Sequence, residues 1–188
     1  MNKKKIALIA GLIIAVVAVR LLFNEMKWFN LMPIAALGIF FGSAFQNKRS
    51  PFIILIGAMI LTDVCFTMFM PQMAPNLNWA LLLKYVGVGL VVLMGTKLDP
   101  EKWTRALGFT LGGTLVFWMV SNLGVFAAGY YGYSWAGFVE CYLMAIPFYQ
   151  AEGSQLFLNA FTSNLAFSAI AFGVYKLSLL RKLQLARA

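Results

Sequence analysis

Asp63, Cys65 and Lys84 are the side chains of this sequence best placed to do chemistry. Each falls within or beside a long apolar run, where an ionisable group is costly and generally lines a cavity or pairs with another. A carboxylate opposite an ammonium can bind a polar solute or simply hold two helices together. A thiolate is a soft ligand suited to a late transition metal, but unpaired Cys is also among the commonest buried apolar residues. Asp63 and Cys65 are two positions apart, about 200° around a helix of 3.6 residues per turn, so an unbroken helix cannot turn both to one cavity. Asn122, Asn159 and Asn164 add amides at nearby levels. These groups read either as contacts to a ligand or as bridges between helices.

Catalysis finds little support. The chain has no His, which removes the usual general base and the commonest metal ligand together. There is no HExxH, no CxxC and no Walker lysine motif, and Gly108, Gly112 and Gly113 lie in an apolar run where small residues serve close helix packing. The chain is expected not to be an enzyme and to hold no intrinsic cofactor. An intramembrane enzyme acting on a lipid or isoprenoid would have to use Asp63 or Glu140 without a paired-carboxylate motif.

The elements that must position these residues follow from hydropathy. Hydrophobic residues make up 62% of the chain and charged residues 11%, against roughly 25% charged in a soluble domain. Mean hydropathy is +0.82. A span needs about 20 mainly apolar residues, and six runs qualify: 6–23, 31–46, 51–71, 79–95, 104–127 and 156–180. The second is short, with Pro33 near its start, and is expected to tilt, thin the bilayer or pack on neighbours. The fold expected is an all-α integral membrane protein of six transmembrane helices, one domain over 1–188. The Lys-rich start resembles a signal peptide, but its apolar run is as long as a span and Arg20 follows closely, so it reads as the first helix.

Charge fixes the expected orientation. With the N terminus inside, twelve of the fifteen basic residues fall at cytoplasmic ends, and only Arg20, Lys27 and Lys84 do not. Both termini are therefore placed in the cytoplasm, in a multi-pass inner-membrane protein. The net charge of +9 is spread over separate cytoplasmic segments, which suits anionic lipid headgroups and not nucleic acid.

The same orientation places Asp63, about 18 Å along its span, at the level of Lys84, in the outer half of the bilayer. Above them lies the loop 128–155, with Tyr130, Tyr131, Tyr133, Trp135, Phe138, Tyr142, Phe148 and Tyr149 and no basic residue. Residues 134–146 suit a short interfacial or re-entrant helix ended by Pro147. These aromatics form either an interfacial belt or the lid of a site for a flat ligand. The cavity expected lies between the third to sixth spans, with Asp63, Cys65, Lys84, Trp118, Asn122, Tyr130, Tyr131, Tyr142 and Asn159 as candidate contacts. Ala7, Gly11 and Ala15 form a small-residue ridge on the first span, open to this chain's own helices or to a separate subunit.

The runs Phe29 to Gly42, Met59 to Asp63, Ser121-Asn122-Leu123-Gly124-Val125 and Cys141 to Phe148 resemble a family of small bacterial six-span proteins assigned to transport. Its layout is similar to the substrate-binding S components of energy-coupling factor (ECF) vitamin transporters. The resemblance implies a bundle that takes up a vitamin or similar micronutrient from the outside, alone or with an ECF coupling subunit and ATPases. It further implies that the Ala7, Gly11 and Ala15 ridge meets the coupling subunit. Solitary cobalamin carriers are similar in size and use a cysteine thiolate on cobalt, a part Cys65 would take here. Against transport stands a structural or regulatory membrane protein that scaffolds a partner.

Overall fold

The structure is a computed structural model that describes residues 3–26, 28, 31–146 and 156–185. Among these the chain is all helical. Seven α-helices follow one another: α1 Lys3–Glu25, α2 Ile34–Ala44, α3 Ser50–Phe69, α4 Trp79–Gly95, α5 Trp103–Ala127, α6 Trp135–Met144 and α7 Leu156–Leu185, with a 3₁₀ turn at Pro71–Met73. Four stretches are long and apolar enough to cross a bilayer: Ile6–Glu25, Ser50–Phe69, Thr104–Ala127 and Leu158–Leu180. Large apolar side chains such as Ile14, Ile53, Met68, Met119 and Ile170 point outward from them. An apolar exterior of this extent marks a membrane protein.

Local chemistry sets the helix starts. Asn78 caps α4, its side-chain oxygen accepting from Ala80 N at 3.0 Å and Leu81 N at 3.3 Å. Ser134 caps α6 by accepting from Gly137 N at 3.1 Å. The turn between α5 and α6 needs left-handed backbone at two positions, and Gly129 and Gly132 supply it at φ +82° and +72°.

The second run falls furthest short of its expected length. Instead of 31–46 the helix covers only Ile34–Ala44, because Pro33 stands at its N-cap and Phe45 is extended. Eleven residues rise about 16 Å, roughly half the hydrocarbon thickness. The helix gains in burial what it loses in length, packing against α3, α4, α5 and α7, with Ala35, Ala36 and Ile39 almost fully enclosed. The short helix expected within 134–146 is present as α6; Pro147, its expected stop, lies outside the described residues.

Candidate functional site

Three helices are tied together at one carboxylate. Asp63 on α3 accepts from Lys84 Nζ at 2.9 Å and Tyr85 Oη at 2.5 Å, both on Oδ2, and from Arg20 Nη2 at 3.4 Å on Oδ1. Arg20 also donates to the Met59 carbonyl at 3.4 Å and lies 5.9 Å from the Phe66 ring centre. The Asp63 side chain is 9% exposed, against 16% for Arg20 and 24% for Lys84. The acid is thus enclosed while both bases keep an open flank. One carboxylate balances one of the two cations, so the cluster carries a formal charge of +1.

That open flank forms part of the wall of a cavity of about 730 Å³. Arg20 and Lys84 line it; Asp63 lies behind them and borders a smaller lateral pocket of about 320 Å³ beside Tyr85 and Leu81. Trp28, Phe66, Phe117, Trp118 and Phe161 give the large cavity its flat aromatic faces, and Asn122 and Asn164 stand among them. Residues from α1 to α7 all contribute, so the cavity lies along the axis of the bundle rather than between only four helices. It reaches the connectors that carry Asn76, Asn78, Tyr130 and Tyr131. There Asn78 donates to Tyr130 Oη at 3.1 Å and Asn76 at 3.4 Å. These two donors lower the Tyr130 phenol pKa, because they favour its phenolate.

The amides nearby are largely occupied by structure. Asn164 on α7 accepts from Ala36 N at 2.7 Å, capping an otherwise unmatched donor in the first turn of α2, and donates to the Ala160 carbonyl at 2.6 Å. Asn122 donates to the Trp118 carbonyl at 2.7 Å. Cys141 lines the cavity at 1% exposure and points its thiol at the Asn122 carbonyl, 3.4 Å away. Burial pushes that thiol above its ordinary pKa, so it stays neutral.

Of the candidate contacts, Lys84, Trp118, Asn122, Tyr130 and Tyr131 line the large cavity. Tyr142 does not; it braces the wall from behind, edge-on to Trp118 at 5.3 Å and donating to the Met119 carbonyl at 2.8 Å. Asn159 is half-buried outside the lining. Cys65 also lies away from the cavity, packed against the cluster of Val16, Val17 and Ala58. Among the described residues no group of three metal-ligating side chains occurs. Ala7, Gly11 and Ala15 are exposed on α1, and a side chain added at Gly11 would meet nothing within 4 Å. The ridge is therefore not used by this chain's own described helices. Arg20 and Tyr85 are site residues that the sequence reasoning passed over.

The model of a protein family described as a family of unknown function, DUF6580, matches residues 1–186. The chain belongs to DUF6580. That match spans every residue of the ion cluster and of the cavity lining, so both lie within the DUF6580 domain. No curated protein and no solved structure matches the chain. Nothing in the family description links DUF6580 to ECF S components.

Proposed function

We propose that this DUF6580 protein is a multi-pass inner-membrane protein that binds a small ring-bearing micronutrient from the outer side, as a solitary carrier or as the substrate-binding subunit of a transporter. The observation that carries the reading is the 730 Å³ cavity, its walls aromatic and its polar groups few and convergent. Binding sites for small organic ligands have this size and character. In this reading the chain crosses the bilayer six times with both termini cytoplasmic, so that the Tyr130 end of the cavity faces outward. The shortness of α2 fits, since irregular backbone at membrane depth is tolerated where it lines a water-filled space, and Trp28 and Met32, just before α2, line the cavity.

Cobalamin remains within the class, but a cobalt bond from Cys65 draws no support from the packing of that residue against α1. Coupling to an ECF subunit and its ATPases would use the outward Ala7, Gly11 and Ala15 face. A scaffold protein is the competing reading, favoured by how fully Asp63 is satisfied by its three partners.

The test is native mass spectrometry on protein extracted mildly from its own membranes, followed by titration with cobalamin and flavin. The transport reading expects one small molecule bound at unit stoichiometry and lost in Trp118→Ala. A folded protein that is empty as isolated and takes up no vitamin added in excess would leave the scaffold.

A further inference from the structure

We infer that the ligand of this cavity is a soluble ring-bearing acid whose anionic oxygen group sits between Arg20 and Lys84. The inference rests on the binding reading above and narrows its substrate class.

Charge balance is the first ground. Both cations border the cavity, and no Asp or Glu stands among its described lining residues. Among the described residues the one carboxylate in contact with them, Asp63, is enclosed behind and neutralises one charge of two. Of the other acids in the described residues, Glu25, Asp99, Glu101 and Glu140 are all exposed. An uncompensated cation at membrane depth is costly, and a bound anion would close the cluster at two positive and two negative charges.

Donor geometry is the second ground. A guanidinium has five N–H donors in a planar fork and an ammonium three, and Asp63 and the Met59 carbonyl take only part of that capacity. Arg and Lys side by side form the usual recognition pair for carboxylate, sulfonate or phosphate oxygens. Ile34 and Ala35, at the start of α2, border the same cavity, so the positive end of that helix dipole adds to the field. The aromatic faces of the same cavity, Trp118 and Phe117 among them, suit a flat ring. An anionic lipid headgroup has the same oxygens but no ring for those faces to hold, which favours the solute.

The experiment uses the full chain in phosphatidylcholine nanodiscs, with empty discs subtracted. It compares 1-anilinonaphthalene-8-sulfonate with N-phenyl-1-naphthylamine, which has the same rings and no charge. We expect saturable binding of the sulfonate about tenfold tighter than the neutral amine, as one charge-assisted contact provides. Lys84→Gln should remove that preference, bringing the sulfonate's affinity to that of the amine measured in the same variant. Equal binding of both probes to the wild type would overturn the inference and leave the ring-binding reading standing. Saturable binding of neither would sink both together. Displacement of the sulfonate as phosphatidylglycerol is added to the discs would assign the site to a lipid headgroup, and so also overturn it.

Discussion

Replacing Asp63 by Ala leaves Arg20 and Lys84 facing each other across a half-buried space with no counterion. Breaking a buried ion pair from one side costs about 3–5 kcal/mol, far more than the pair contributes when whole. We expect Asp63→Ala to lose a corresponding part of its stability in thermal unfolding of the detergent-solubilised protein. Lys84→Met should cost much less, because Asp63 keeps Arg20 and the Tyr85 hydroxyl; equal losses in the two variants would contradict this account. The pairing of Asp63 with Lys84 was legible in the sequence, since rise per residue puts both at one depth. Arg20 was not, because its place near the outer end of the first run reads as an exit from the membrane. Its signal was the same one, a charge at the level of Asp63, and Tyr85 had no signal beyond its adjacency to Lys84. Helical angle also separated Asp63 from Cys65 correctly: one turns to Arg20 and Lys84, the other to Val16 and Ala58.

At the scale of elements, α2 and α4 meet backbone to backbone. A Cβ built on Gly95 would stand 2.7 Å from the carbonyl oxygens of Gly38 and Ile39, and one on Gly42 would stand 2.5 Å from that of Val92. Backbone cannot step aside as a side-chain tip can, so Gly95→Ala must separate the two helices, at a cost of about 1–3 kcal/mol or more. Gly89→Ala, on the same helix with nothing within 4 Å of its added carbon, should be neutral or slightly stabilising. Matched thermal midpoints for the two variants would refute this contact. Asn164→Leu tests the joint between α7 and α2: it strands the Ala36 N–H in a buried site, and about 1–3 kcal/mol should be lost. Most helix bounds were legible from apolar run length. The shortening of α2 was not, because run length records hydrophobicity, whereas Pro33 and burial by four neighbouring helices decide where this helix begins. That Asn164 caps α2 was equally hidden, since the two are 128 positions apart in sequence.

For the whole molecule, orientation is the property on which the proposed outward-facing site depends. The proposed orientation, argued from the distribution of Lys and Arg, would put the connectors 70–78 and 128–134 outside, and the 96–102 turn, with Lys97 and Lys102, inside. Accessibility to an impermeant reagent decides this without any knowledge of the ligand. In a background of Cys65→Ala and Cys141→Ala, single cysteines can be introduced at Leu77, which is 97% exposed, at Tyr133, which is 77% exposed, and at Glu101, exposed at the opposite end. A membrane-impermeant maleimide applied to intact spheroplasts should label Leu77→Cys and Tyr133→Cys at once, and Glu101→Cys only after lysis. The opposite pattern would turn the cavity towards the cytoplasm, and uptake from outside would then be the wrong direction for this site. Labelling of Leu77→Cys and Tyr133→Cys from different sides would break the six-crossing arrangement itself. Both connectors carry residues of one cavity wall, Asn76 and Asn78 from the first and Tyr130 from the second, joined by hydrogen bonds. A shared side for the two is therefore required by the cavity as well as by the charge distribution, and these two grounds are physically independent.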